Sequence, residues 1–311
     1  MTLEVGLTAW TSRQGWRAAA LRDQAAWAEA EGFHSLWVPE NHFTDSRAVP
    51  SPMLLLAAAA AGGERIKLGT TSVLLPIRNP ILAAEEVAVL DHLSNGRLIL
   101  GVGRGLGEDL FRAFGFPQKE KRQRFQKNLE AMLAALRGEP LIEETSGRPS
   151  PGLAPLPIQK PHPPVWLAAF GPLALKQAGS LGLPYLASPL ESLAVLQQNY
   201  RIYREALVEA GQPNVLTVPV MRSVFVSDNA GLLEQASMAL QASLPKQLLE
   251  KAGAVNDWAI VGDRHAVRDR LQQYQSELGI THLIARGRVA SIDHQEQSRS
   301  LSLLLDIVGS L

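Results

Sequence analysis

Two hydrophobic periods alternate along this chain. Consecutive apolar and β-branched residues at 3–9, 33–38, 66–74, 97–102, 165–168, 183–187, 216–226 and 281–285 predict eight strands. Runs such as LILGVG lack polar alternation, which marks strands covered on both faces, as in a parallel sheet. The segments between them have helical spacing. Leu21, Ala25 and Ala28 fall at i, i+4 and i+7 before Gly32, and 52–61 is helical. Asn79-Pro80 is a cap and first-turn pair; it opens a helix with Val87, Leu90 and Leu93 on its apolar face, ended by Asn95-Gly96. Further helices are predicted over 121–136, 173–181, 191–210, 230–251 and 264–278, and Leu301, Leu304, Leu305 and Val308 mark the last. Parallel strands need crossovers, and eight strand–helix repeats favour a closed (β/α)8 TIM barrel over a doubly wound sheet. Seven prolines between Pro149 and Pro164 predict an irregular insertion around 144–164. The alternation resumes after it, so the chain reads as one α/β domain over 1–311 rather than two joined by a linker.

Composition narrows the function. Lys plus Arg and Asp plus Glu are equal at 30 each, which gives no basic surface for nucleic acid or an anionic membrane. Without cysteine there is no disulfide, thiolate nucleophile or Cys-ligated metal. The opening MTLEVGLTAW has no basic n-region, and the longest apolar run, 53–61, is far short of the roughly 18 residues of a membrane span. A cytoplasmic location is expected.

In a barrel, chemistry gathers at the C-terminal ends of the strands. There the chain carries Glu40-Asn41-His42-Phe43-Thr44-Asp45, then Thr71-Ser72 leading to Pro76 and Arg78, Gly103-Arg104-Gly105-Leu106-Gly107, Ala169-Phe170-Gly171, and Arg286-Gly287-Arg288. Glycines admit a ligand close to the backbone, and one arginine offers a planar fork to a phosphate. His42 is a candidate acid or base, or a donor to a ring carbonyl. The alternative is that Glu40 pairs with a neighbouring arginine and His42 only closes a loop. No metal-ligand spacing occurs in these loops. Asp91, His92 and Arg97 lie before the fourth strand, on the opposite face, and read as structural. So does His162.

The stretches SLWVPENHFTD and IKLGTTSVLLPIRNPILAAEEVAVLDHLSNGRLILGVGRGLGEDLFRAFGF resemble the bacterial luciferase-like flavin-dependent monooxygenases, above all the luciferase α-subunit and alkanal monooxygenase branch. The similarity is dense over 1 to about 137 and looser through GLPYLAS, IVGDRHAVRDRL and ELGITHLIAR. It implies a (β/α)8 barrel that binds reduced FMN, or in another branch F420, at its C-terminal face. It also implies FMN supplied by a separate reductase, O2 as co-substrate and an organic substrate. By this resemblance Arg104 matches the flavin-phosphate arginine, with Gly105 and Leu106 in its loop. Thr71 and Ser72 match a pair beside the flavin ring, often joined by a non-prolyl cis peptide. Glu40 and His42 match the acidic and second histidine positions.

Three positions depart from the luciferase pattern. Asn41 replaces the catalytic first histidine and cannot transfer a proton near neutral pH. Gly103 replaces an active-site cysteine. The stretch AAFGPLAL lacks the phosphate-binding hydroxyls, leaving the backbone of Gly171 and the following helix start to hold an anion. The primary expectation is an FMN-dependent monooxygenase acting on a small apolar substrate. Asn41 and His42 are its candidate catalytic residues; Glu40, Thr71, Ser72, Arg104, Gly105, Leu106 and Gly171 are its cofactor contacts. The alternatives are an F420-dependent hydride-transfer oxidoreductase, with Arg286 and Arg288 near the anionic tail, and a non-catalytic barrel resembling the luciferase β-subunit. A homodimer is expected, with the helix over 83–93 as a candidate contact, and Trp258 reads equally as closing the pocket or as a core aromatic.

Overall fold

The computed structural model describes residues 2–9, 16–43, 48–142, 150–244 and 253–311. The expectations for Thr44-Asp45, for 144–149 of the insertion and for the end of the helix over 230–251 lie outside the described residues. In chain order the first elements are β1 (Glu4–Thr8), α1 (Ala18–Glu31), β2 (Ser35–Val38), α2 (Pro52–Ala60), β3 (Lys67–Thr70), β4 (Val73–Leu74), α3 (Pro80–Leu93), β5 (Leu98–Gly103), α4 (Glu108–Ala113) and α5 (Lys121–Leu136). There follow β6 (Val165–Ala168), α6 (Pro172–Ser180), β7 (Tyr185–Leu186), α7 (Leu193–Glu209), β8 (Pro219–Val226), α8 (Ala230–Ala242), α9 (Val255–Trp258), β9 (Ala259–Gly262), α10 (Arg264–Leu278), β10 (His282–Arg286) and α11 (His294–Val308). Two compact units share the chain: Met1–Trp10, Ala30–Ser35 and Ala169–Leu311 in one, Thr11–Glu29 and Leu36–Ala168 in the other.

The second of these units carries the ladder β2–β3–β5–β6, with β4 also on β5. The pairings with printed register are parallel: Leu68 opposite Leu98, Val73 opposite Val102 and Leu100 opposite Val165. Every residue of β5 is buried, as its unbroken apolar run requires. Trp37 of β2 stacks on Trp166 of β6 with ring centroids 4.9 Å apart. It also lies so close to Gly69 that a Cβ there would meet its ring at 2.1 Å, so only glycine fits. The Asn79 side chain caps α3 by accepting from the Ile81 and Leu82 amides, with Pro80 in the first turn. The predicted strand over 66–74 is broken between β3 and β4, and the Gly-rich loop after β5 holds the short helix α4. The break falls at Thr71-Ser72, at the end of the 69–72 stretch that interrupts the apolar residues.

Asp91 and Arg97 are buried and structural. Arg97 donates to the Ser94, Ile66 and Ala60 carbonyls at 2.7–2.9 Å. Asp91 accepts from the Gln159 amide and side chain at 2.9 and 2.7 Å, and His92 Nε2 lies 2.9 Å from the Leu156 carbonyl. The described part of the Pro-rich crossover is therefore strapped to α3 and β5.

The other unit carries the parallel ladder β1–β10–β8–β9. The Tyr200 hydroxyl lies 3.3 and 3.2 Å from the carbonyls of Tyr185 in β7 and Pro219 in β8. Strand β9 was not expected: its four residues run directly into the Asp263 cap of α10 and gave too short a pattern to read. Trp258 just before it is 1% exposed and packs with Phe225, Ala236, Leu240, Val289 and Ile292. It is a core residue, not the expected pocket closure, because the Ala259–Gly262 pairing with β8 draws it under α8.

Candidate active site

The site residues of the first three strand ends lie in the unit built on β2, β3, β5 and β6. Two residues beyond β2, the Glu40 side chain is fully buried. One carboxylate oxygen accepts from His42 Nε2 and from the Arg78 guanidinium, both at 2.8 Å. The other accepts from the Leu74 amide at 2.9 Å. A buried carboxylate is tolerable only with such partners. Glu40 thus pairs with a neighbouring arginine and also orients the histidine: with Nε2 facing a carboxylate, the proton sits there and Nδ1 is the acceptor.

Asn41 is held by a bridge. Its backbone exchanges hydrogen bonds with Val49, whose amide also lies 2.9 Å from Asn41 Oδ1. Two residues on, Phe43 has a φ of 57°, a conformation uncommon for a bulky side chain, and is 67% exposed. Its ring, the His42 ring and the exposed Phe114 form a cluster with centroids 5.3–6.1 Å apart. These rings give the His42 loop an apolar, aromatic rim.

The Thr71-Ser72 peptide is cis. Thr70 Oγ1 donates to the Gly101 carbonyl at 2.7 Å, and the Thr71 amide donates to Val38 at 2.9 Å, fixing the segment between β2 and β5. Ser72 is buried against Gly103, where a Cβ would meet Ser72 Oγ at 2.2 Å. Glycine at 103 therefore leaves Ser72 Oγ where it is, and any side chain there would turn that hydroxyl away.

Beyond β5, Arg104 is half-buried, with its guanidinium 5.8 Å from the Phe125 ring centroid. Burial, and then the charge of Arg122, push its pKa below the usual arginine range. Burial and the charge of Arg104 likewise lower Lys121. Arg104, Lys121 and Arg122 therefore form one cation cluster. Lys121 and Arg122 open α5, whose first turn contains no acid. Positive charges at a helix N-terminus oppose the helix dipole, while the Lys121 amide donates to the Gln118 carbonyl in the turn before α5. The arrangement suits an anion. The sequence reading missed these two residues, although the KEKRQR run at a predicted helix start was a legible signal.

Gly105 has a φ of 75°, which favours glycine, and Leu106 is 73% exposed. Gly171 belongs to the other unit and caps α6 with a φ of 80°. The Ala174 and Leu175 amides both donate to its carbonyl, and Pro172 has no N–H. That helix start therefore offers an anion only the Gly171 and Leu173 amides. Among the described residues, no cluster of three or more His, Asp or Glu converges as for a metal, and no helix is long and apolar enough to cross a membrane.

The chain belongs to the luciferase-like monooxygenase family, whose sequence profile matches residues 3–282. It is 24% identical to a luciferase-like monooxygenase of Escherichia coli K12, covering 93% of this chain and 90% of that protein. It is 28% identical to the oxygenase component of a flavin-dependent trigonelline monooxygenase of Acinetobacter baylyi, covering 65% of this chain and 57% of that one. Among solved structures, monooxygenase RslO1 of Streptomyces bottropensis aligns over 99% of both chains with a TM-score of 0.82 and 23% identity. The oxygenating constituent of 3,6-diketocamphane monooxygenase of Pseudomonas putida, in complex with FMN, aligns over 100% of this chain and 99% of that one with a TM-score of 0.78 and 20% identity. An F420-dependent secondary alcohol dehydrogenase aligns over 99% of both chains with a TM-score of 0.78 and 17% identity. At these identities the structural likenesses establish the fold alone.

Proposed function

We propose that this protein is the oxygenase component of a two-component monooxygenase, using reduced FMN from a separate reductase and O2 to oxidise a small organic substrate. The observation that carries this reading is the Arg104–Lys121–Arg122 cluster, three cations gathered at the start of α5 where a phosphate dianion restores charge balance. The flavin, when bound, supplies the redox chemistry. The chain's own groups hold and surround it. Arg104, Lys121 and Arg122 bind the phosphate, and Ser72 beside Gly103 offers a hydroxyl on a surface without a second side chain. His42, oriented by Glu40, presents Nδ1 as a proton acceptor, while Asn41 contributes only hydrogen bonding. Phe43 and Phe114 exclude water and accept an apolar body. On this reading the eight repeats act as one (β/α)8 domain over 1–311, in the cytoplasm beside the reductase.

The second reading is F420-dependent hydride transfer, favoured by the hydroxyl-free stretch from Ala168 to Leu175. Titration with FMN, riboflavin and F420 separates the two. The first reading predicts FMN binding at least about tenfold tighter than riboflavin, the worth of one charge-assisted phosphate contact, and a preference abolished in Arg104→Gln. Equal affinity for FMN and riboflavin overturns it, and F420 binding without FMN binding selects the second.

A further inference from the structure

Asparagine is a poor choice inside a helix, because its short amide competes for backbone hydrogen bonds. Asn128 nonetheless stands in the middle of α5. Its Nδ2 group donates to the carbonyls of Leu75 and Arg78, both at 2.9 Å. Both partners are acceptors, so both amide protons are used and the orientation of the amide is fixed. Leu75 opens a single tight helical turn, Leu75–Ile77, which the Arg78 amide closes by donating to the Leu75 carbonyl at 3.1 Å. Asn128 therefore clasps this turn at both ends.

The same turn is bonded to Glu40 on either side. The Leu74 amide just before it donates to one carboxylate oxygen at 2.9 Å, and the Arg78 guanidinium just after it donates to the other at 2.8 Å. That second oxygen is the one that accepts from His42 Nε2. Among the described residues the Arg78 side chain makes no other hydrogen bond, and its Nε is buried without a partner. The place of the guanidinium is thus set by the backbone of the turn, and that backbone is held by Asn128.

Helical spacing joins the clasp to the cation cluster. Lys121, Phe125 and Asn128 fall at i, i+4 and i+7, on one face of α5. The Lys121 ammonium lies 5.6 Å from the Phe111 ring centroid, and Phe111 packs with Leu74, Phe116 and Ile77. Phe125 lies beneath the Arg104 guanidinium. All of these residues belong to the compact unit that contains Leu36–Ala168. One helix face therefore carries both a phosphate-binding cation and the amide that places Arg78.

We propose that Asn128 is a positioning residue for His42: by fixing the turn before Arg78 it sets the Arg78–Glu40 pair, and through that pair the ring proton on Nε2 that leaves Nδ1 free to accept. The proposal rests on the monooxygenase reading for the use of that acceptor, but not for the positioning itself.

The test is nitrogen-15 NMR of the histidine rings in the full-length protein without flavin, at about pH 8, where an ordinary histidine is neutral. His42→Gln assigns the signal. The spectra compare the parent with Asn128→Leu, Asn128→Ala and Gln159→Ala, and each protein is also titrated with FMN. Leucine and alanine are both better helix formers than asparagine, so α5 itself is not weakened. Gln159→Ala breaks a comparable clasp elsewhere in the unit, since Gln159 Nε2 donates to Asp91 and to the Leu98 carbonyl.

The parent is expected to show a single His42 tautomer, protonated at Nε2. In both Asn128 variants the two ring nitrogens should shift toward each other as the tautomers mix, while Gln159→Ala keeps the parent signal. FMN affinity in the Asn128 variants should stay within about threefold of the parent, because the three cations are untouched. An unchanged His42 signal in both Asn128 variants overturns the proposal, whether or not FMN affinity falls. So do a parent that already mixes the tautomers, the same shift in Gln159→Ala, which would mark general loosening, and a failure of both Asn128 variants to fold, which would make the residue structural. A His42 shift in a protein that binds no FMN leaves Asn128 in its role and removes the monooxygenase reading.

Discussion

Replacing Glu40 by alanine tests whether the site is organised around a buried charge. The Arg78 side chain is only 20% exposed, and in Glu40→Ala it keeps its charge without a carboxylate. Breaking a buried pair by removing one partner costs about 3–5 kcal/mol. The Leu74 amide, buried and bonded to Glu40 at 2.9 Å, loses its acceptor as well, a further penalty of about 1–3 kcal/mol that overlaps the first. Glu40→Ala is therefore expected to destabilise by ~4 kcal/mol or more. Glu40→Gln retains an acceptor for Leu74 and should cost ~2 kcal/mol. Because Arg78 is the main orphan, Arg78→Met added to Glu40→Ala should recover part of the loss, with a coupling of ~2 kcal/mol. Urea denaturation at pH 7, followed by far-ultraviolet circular dichroism, measures the parent, the two Glu40 variants, Arg78→Met and the double variant. A Glu40→Ala loss below about 1 kcal/mol, or strict additivity with Arg78→Met, refutes the argument.

Two further predictions follow from single contacts. In Gly103→Ala the new Cβ overlaps Ser72 Oγ, and rotation of that hydroxyl relieves the clash at about 0.5–1.5 kcal/mol while moving it from the candidate flavin surface. FMN affinity should therefore fall more than stability, with Ser72→Ala restoring the stability of Gly103→Ala; unchanged melting and binding would contradict the contact. His282 lies 2.8 Å from Thr281 Oγ1, with its ring 5.3 Å from that of His34. Burial, and then the charge of His34, lower its pKa from 6.5 to about 4. The unfolded chain takes up this proton first, so its contribution is fully present above pH 6.5 and lost as pH falls toward about 4. His282→Gln should flatten the stability profile in that window; parallel profiles would rule the residue out.

The parts of this molecule legible in the sequence are those set by local pattern. The apolar run LILGVG can be little else than a buried strand, Asn79-Pro80 reads directly as a helix start, and Arg104 and Thr71-Ser72 are singled out by their places after predicted strands and by the family resemblance. What was not legible depends on pairing across the chain. Glu40 and Arg78 are separated by 38 positions, and nothing local shows that they meet. Apolar residues on both sides of 69–72 made 66–74 read as one strand, although β3 and β4 are separate. Trp258 reads equally as rim or core until β9 places it. The cations of α5 were visible as a charge run, but such runs usually face solvent, and only the charge of Arg122 acting on Arg104, and that of Arg104 on Lys121, tie them to the site.

The central claim is that this chain binds reduced flavin and directs its reaction with O2. The direct measurement is to load the protein anaerobically with reduced FMN, mix it with air-saturated buffer in a stopped-flow spectrometer and follow flavin reoxidation against free reduced FMN. The account predicts a separate protein-dependent phase, slower than the free reaction, that disappears in Arg104→Gln. Reoxidation identical to that of free flavin at every protein concentration would contradict it.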